Sequence, residues 1–369
     1  MTASLDLKTS PATGSTSDRA PARPLLVKVM SRVDDFNGVS RLSRQLMDGW
    51  AQAHGLQFTF DPEARGYDWL VVYENLPPEQ AERRPMRIER LDCPQSNTIL
   101  LTTEPSSIKI YGRAYTRQFG HVVTSQEPFA LRHPGRIWGQ SGLRWFYGDG
   151  AHHAMTADEI AAHEPVKTAV LSTVCSTKRQ GHTLHRLRYD FTQLAAARLP
   201  ELDVYGRGHR PLDDKAEAID AYKYHLAIEN HIGAHHFTEK LADPFLGLAL
   251  PFYFGAPNAA DYVPAESFIA IDIRQPEDAL RIIREAIDGH EYEKRLPAIR
   301  EARRRVLEEH NLFPLVGRVI RDDAGRNLAV GNGTIMSQRA AQKAHPVLSA
   351  VDALFREALH LKNRLANRR

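Results

Sequence analysis

The sequence predicts an α/β protein of two domains facing a cleft. Three observations point there. The chain has 369 residues, too many for one ordinary core and suited to two of roughly 150 residues each. Short apolar runs of strand type alternate with amphipathic helical stretches in both halves, which is the pattern of sheets covered by helices. The alternation breaks between Gly148 and Val166, around Gly148-Asp-Gly-Ala-His-His153 and Pro165, and restarts with a strand at Lys167.

The elements follow in order. Residues 1–24 are rich in Ser, Thr, Ala and Pro and lack an apolar signal core. They read as a disordered lead-in rather than a secretion signal. Leu25–Met30 is a first strand. Asn37–His54 has the apolar spacing of a helix through Val39, Leu42, Leu46 and Trp50. Leu56–Phe60, Trp69–Tyr73, Thr98–Thr102 and His121–Thr124 are further strands. These form a first domain at 25–160.

The second domain is expected at 166–330. Its strands are Lys167–Thr173, Leu202–Tyr205, Tyr224–Ile228, Leu248–Phe254 and Ser267–Asp272, and its helices lie near 183–198, 276–287 and 292–310. Helices at 338–344 and 349–366 make residues 331–369 a segment that packs back on the body or ends as a basic tail.

Composition excludes several classes. The hydrophobic fraction is 42% and the charged fraction 25%, ordinary for a globular protein. A net charge of +3 offers no basic field for nucleic acid. Two cysteines, Cys93 and Cys175, are too few for a disulfide framework and fit a reducing cytoplasm. No apolar run is long enough to span a bilayer. The basic cluster Lys362–Arg369 permits at most a weak peripheral contact with an anionic inner membrane face.

Chemistry concentrates at residues 222–272. The strand Tyr224–Ile228 ends in Glu229-Asn230, a Gly/His turn follows, and Thr238-Glu239-Lys240 opens an apolar helical stretch before the strand ending at Gly255. Polar groups at a strand's carboxyl end, opposite a helix start, hold ligands in α/β sheets. A helix amino terminus favours anions, and a lysine beside it adds a full charge. A phosphate-bearing ligand fits. By itself the tripeptide also fits a plain helix start with Thr238 as N-cap. His235-His236, His182/His185 and His152-His153 lack acidic or thiolate partners at metal spacing. There is no Asp-x-Asp, no Gly-x-Gly-x-x-Gly and no phosphate-binding Gly-rich loop ending in Lys-Ser/Thr.

Ile228-Glu-Asn230, Thr238-Glu-Lys240, Leu250-Pro251, Gly255 and Pro264-Ala-Glu-Ser-Phe-Ile269 stand in an order and spacing that resembles the donor domain of glycosyltransferase family 10. These are the α1,3/α1,4-fucosyltransferases, and the chain looks like a bacterial-type soluble member. Leu202-Asp-Val-Tyr-Gly206 and Leu101-Thr-Thr-Glu-Pro105 extend the likeness more loosely, over roughly residues 95–272.

The resemblance implies a GT-B fold of two Rossmann-like domains. It implies transfer of L-fucose from GDP-fucose to a glycan hydroxyl, N-acetylglucosamine or a hexose, with inversion and an α1,3-type linkage. No cofactor and no catalytic metal are implied. Lys240 and an arginine, Arg186 or Arg188 with Arg188 favoured, would hold the diphosphate. Glu239 and Asn230 would orient sugar and nucleoside, and Glu104 would be the general base. His236 stands where the family carries a tyrosine, so it either stacks on a ring or alters the donor contact. That departure keeps open another GDP-sugar donor, or a nucleotide-sugar-binding protein without catalysis. Acceptor choice would sit in His133–Gly150, where Trp138 and Trp145 either stack on sugars or fill core.

Overall fold

The structure is a computed structural model. It describes residues 23–366 apart from 33–34, 37–38, 80–84, 143 and 324–332. Residues 1–22 of the lead-in and the last three residues of the basic cluster lie outside the described residues.

The first domain is built on β1 (Leu25–Ser31). A two-strand hairpin follows, β2 (Asp35–Phe36) and β3 (Val39–Ser40), then the one-turn helix α1 (Trp50–Ala53), β4 (Leu56–Thr59) and β5 (Trp69–Tyr73). Next come β6 (Ile88–Arg90), β7 (Thr98–Leu101), α2 (Arg113–Thr116), β8 (His121–Thr124) and β9 (Arg136–Trp138). Six of these strands form one parallel sheet in the order β4-β1-β5-β7-β8-β9. All five residues of β5, Trp-Leu-Val-Val-Tyr, are buried, as a parallel strand covered on both faces requires.

The second domain begins after α3 (Ala157–Ala162). Its elements are β10 (Ala169–Val174), α4 (His185–Arg198), β11 (Leu202–Tyr205), β12 (Tyr222–Ile228), α5 (Glu239–Leu246), β13 (Leu250–Phe254) and β14 (Ile269–Ala270). The sheet order is β11-β10-β12-β13-β14, again all parallel. Helices α6 (Pro276–Asp288) and α7 (Glu291–Glu308) complete the domain. Both sheets reverse direction beside their first strand, between β1 and β5 and between β10 and β12. Ligands of such folds bind outside the carboxyl ends at that reversal. Two Rossmann-like domains with a cleft between them is the GT-B arrangement.

Alternation sorts the first core into two faces. Val27, Val29, Trp69, Val71, Ile99 and Leu101 pack on one side. Leu70, Val72, Leu100 and Val122 pack on the other, with Tyr111, Tyr115 and Phe119. The helix α8 (Leu312–Asp322) covers the first of these faces, with Leu312, Phe313, Val316 and Ile320 buried in that core and Phe313 edge-on to Phe58 at 4.9 Å. The second domain, expected to run to 330, therefore gives way before Leu312. The chain crosses back because α8 is strongly amphipathic and the first sheet has an open apolar face. β15 (Thr334–Met336) then pairs antiparallel with β6, and α9 (Gln338–Ala344) and α10 (Pro346–Ala366) follow.

The helix expected at Asn37–His54 is a correction. Among its described residues that stretch holds β3, a 3-10 turn at Ser43–Gln45 and only one α-helical turn. Gly49 breaks it at φ +73°, a conformation that glycine alone adopts freely. Arg44 is buried and donates to the carbonyls of Trp145 at 2.8 Å, Tyr147 at 3.0 Å and Met155 at 2.9 Å. These tertiary bonds outweigh local helical spacing. Trp145 is core, in a cluster with Tyr147. Trp138 is exposed and meets His235 edge-on at 4.6 Å.

Candidate active site

Where the carboxyl ends of the two sheets face each other, a cleft of about 570 Å³ opens. Its walls include Tyr73, Glu74, Thr103 and Glu104 from the first domain and Glu229, Asn230, His236, Glu239 and Lys240 from the second. That volume suits a small-molecule ligand. A larger hollow of about 880 Å³ lies by α1 and β4. It sits away from the strand ends, and its arginines are already engaged, Arg41 by Asp149 and Arg44 by backbone carbonyls.

Strand β12 runs buried to Ile228 and delivers Glu229 beneath the start of α5. The Glu229 carboxylate accepts from the Thr238 backbone N–H at 2.7 Å and from its hydroxyl at 2.9 Å. Thr238 caps α5 by accepting from Lys240 N at 3.2 Å. Glu229 is thus a buttress that fixes where α5 begins. Burial pushes its carboxyl up, against the pull of Lys240. The pair it supports is charged. Lys240 Nζ lies 2.9 Å from Glu239 Oε1 and 3.6 Å from Glu229 Oε2. Burial opposes both charges, yet Lys240 and Lys215 hold Glu239 well below the usual carboxylate range, and Glu239 and Glu229 raise Lys240.

Gly255 ends β13 against this buttress. A Cβ there would lie 2.5 Å from Glu229 Cγ and 2.3 Å from the Tyr253 hydroxyl, both on buried side chains. Only glycine permits that approach.

Arg188 lies in the first turn of α4, whose N-cap Leu184 has no side-chain cap. The uncapped N–H groups and the guanidinium share the helix's positive end. Arg188 is buried, and its Nη1 donates to Asn230 Oδ1 at 2.9 Å. It shares a small hollow with Lys215, Glu239 and Lys240. Arg186 points elsewhere: it is exposed, 3.6 Å from Asp190 on its own helix. Of the two arginines, only Arg188 reaches the hollow that shares Glu239 and Lys240 with the cleft.

His236 is buried at the cleft wall. Its Nδ1 shares a 2.8 Å hydrogen bond with Ser125 Oγ of the first domain. Burial, with His231 and Lys240 nearby, lowers its pKa to about 3, so the ring is neutral. His236 therefore links the two domains through Nδ1 while its ring lines the cleft.

Glu104 follows β7 and faces the same cleft. Its backbone is pinned: its N–H donates to the Tyr111 hydroxyl at 3.1 Å, and its carbonyl accepts from Gln126 Nε2 at 2.8 Å. Among the described residues its carboxyl has no hydrogen-bond partner. Burial and the neighbouring Glu74 raise its pKa, against Lys109 and Lys240.

Sequence reasoning passed over Glu74, Lys109, Lys178 and Lys215. Glu74 ends β5 in the left-handed region at φ +67° and pairs with Lys109 at 2.8 Å. The rule that singled out Glu229-Asn230, polar groups after a buried strand, would have found Glu74-Asn75 as well. Lys178 stands at the cleft mouth on the loop after β10. Lys215 comes from a distant 3-10 turn and reaches Asp243 at 2.8 Å and Glu239 at 3.6 Å; no local signal marks it. Among the described residues no cluster of His, Cys, Asp and Glu could hold a metal, and no helix is long and apolar enough to cross a membrane.

The profile of glycosyltransferase family 10 (fucosyltransferase), C-terminal part, matches residues 165–290. The chain is 30% identical over 136 residues to a 3-galactosyl-N-acetylglucosaminide 4-alpha-L-fucosyltransferase of Pan troglodytes, a match covering 35% of this chain and 36% of that one. It is 33% identical over 140 residues to a 4-galactosyl-N-acetylglucosaminide 3-alpha-L-fucosyltransferase of Hylobates lar, with the same two shares. The chain thus spans about a third of the length of these relatives. A crystal structure of an alpha1,3-fucosyltransferase with GDP-fucose aligns over 77% of this chain and 84% of its own, at 15% identity and TM-score 0.45. Over residues 165–290, then, the chain is similar to the C-terminal part of glycosyltransferase family 10, the fucosyltransferases.

Proposed function

We propose that the protein is an inverting fucosyltransferase that moves L-fucose from GDP-fucose to a hydroxyl of a glycan acceptor. One observation supports this: Glu104, whose carboxyl has no hydrogen-bond partner among the described residues, shares the cleft with Lys240, and Lys240 in turn shares the adjoining hollow with Arg188. The acceptor oxygen attacks the anomeric carbon, the bond from that carbon to the diphosphate oxygen breaks, and GDP departs with the bonding electrons. Glu104 takes the proton of the attacking hydroxyl. Arg188 and Lys240 stabilise the charge that develops on the diphosphate, at fixed positions that need no reorganisation. Two such cations supply this without a metal. Glu239, held ionised, offsets positive charge at the anomeric carbon.

The test is protection against heat unfolding by a panel of GDP-sugars, since a ligand that binds only the folded state raises its stability. GDP and GDP-fucose are expected to stabilise. Protection by a different GDP-sugar alone would redirect the donor assignment, and none by any GDP compound would overturn the proposal.

A further inference from the structure

Lys240 has two calls on its charge. Its Nζ lies 2.9 Å from Glu239 Oε1, 3.2 Å from Thr238 Oγ1 and 3.6 Å from Glu229 Oε2. In the mechanism above the same ammonium stabilises the diphosphate. An ammonium drawn toward that anion loosens its hold on Glu239. A buried carboxylate that loses its cation is driven to take up a proton or to move.

Lys215 is the second cation on that carboxylate, with Nζ 3.6 Å from the same Oε1. Its own position is fixed from several sides. The 3-10 turn Lys215–Ala218 is capped by Asp214, whose carboxylate accepts from the Ala216 N–H at 2.8 Å and from the Gly148 N–H at 2.9 Å. Asp243, buried on α5, accepts from Lys215 Nζ at 2.8 Å and from the Phe146 N–H at 3.1 Å. The Phe146 ring centroid lies 5.0 Å from Nζ. Lys215 lines the hollow beside Arg188 and Lys240 but not the cleft itself. With Asp243 already balancing its charge, it is a poor holder of phosphate. An ammonium has three donors, and one anchored by Asp243 still has others to direct at Glu239.

We propose that Lys215 is a positioning residue for fucosyl transfer: it retains Glu239 beside the anomeric carbon while Lys240 turns to the diphosphate, and it does not itself touch the donor. This rests on the fucosyltransferase reading above. Burial works against the charge of Glu239, and Lys215 joins Lys240 in overcoming it.

The test must not strand Asp243, since a buried carboxylate without its partner is strongly destabilising. Lys215→Met is therefore combined with Asp243→Asn, whose amide oxygen can still accept from the Phe146 N–H. This double variant should melt near the wild-type temperature. Turnover is read as GDP release from GDP-fucose, with and without an N-acetylglucosamine-bearing acceptor, and GDP affinity by calorimetry. The double variant should lower kcat by about a hundredfold, the cost of an ångström of misplacement in a reacting array, with a smaller loss of GDP affinity. In a Glu239→Gln background it should cost nothing further in GDP affinity, because its effect runs through that carboxylate. Equal losses of GDP affinity in both backgrounds would put Lys215 on the diphosphate and overturn the inference. A double variant that turns over as fast as an active wild type overturns it too and leaves the fucosyltransferase reading standing. A wild type that neither binds GDP nor releases it from GDP-fucose overturns both.

Discussion

Arg188 and Asn230 hold each other: the guanidinium donates to the amide oxygen at 2.9 Å. The two residues stand 42 positions apart, one on α4 and one after β12. Asn230 is therefore an aiming partner for Arg188, and what it still presents to a ligand is its NH2.

Replacing Asn230 by Ala should lower affinity for GDP about tenfold, the value of roughly one hydrogen bond to a charged group. Asn230→Asp should restore the aim of Arg188 but add a negative charge beside the diphosphate site. GDP titration by calorimetry separates these, with aspartate expected to bind no better than alanine.

Arg188→Lys removes the fork that meets two phosphate oxygens at once. GDP affinity should fall by about tenfold to a hundredfold, on the order of 1.5–3 kcal/mol. Arg186→Ala should change nothing measurable, because that side chain is exposed and pairs with Asp190. Equal losses in the two variants would mean that α4 presents its other face to the donor.

Glu104→Gln should reduce kcat by about a hundredfold to ten-thousandfold, the usual share of a positioned base, while protection by GDP persists. A base works only when ionised. Burial and Glu74 raise the Glu104 pKa, so the rate should fall as pH drops through a value above the ordinary carboxylate range. The acid limb of the kcat profile reads this directly. Glu74→Gln removes one of the raising charges and should move that limb to lower pH.

Gly255→Ala places a methyl 2.5 Å from Glu229 Cγ and 2.3 Å from the Tyr253 hydroxyl. Overpacking of this kind costs about 1–3 kcal/mol, and it pushes Glu229 off Thr238. Both the melting temperature and GDP affinity should fall. Loss of stability alone, with GDP binding intact, would mean that the Glu229 buttress does not set the position of Lys240.

Much of this site is written locally. Ile228-Glu-Asn230 and Thr238-Glu-Lys240 sit at the end of one strand and the start of one helix, and strand periodicity and cap chemistry are properties of neighbouring residues. Glu104 and Glu74 follow buried strands of the same kind. Lys215 was invisible because its contact with Glu239 closes a gap of 24 residues through the packing of a 3-10 turn. The sequence favoured Arg188 over Arg186 but left both eligible: two positions on a helix differ by about 200° in direction, and only the placement of α4 on its sheet says which faces the hollow beside Lys240.

The sequence by itself determined two α/β domains, the strands that carry the candidate site and the likeness of residues 165–290 to glycosyltransferase family 10, because these rest on short-range pattern and spacing. The tertiary structure decided the rest. It broke the expected helix at 37–54 through Arg44, returned α8 to the first core, and buried His236 against Ser125. It also set Glu104 in one cleft with Lys240. Each of these depends on groups far apart in the chain, where burial and hydrogen bonding between domains outweigh local preference.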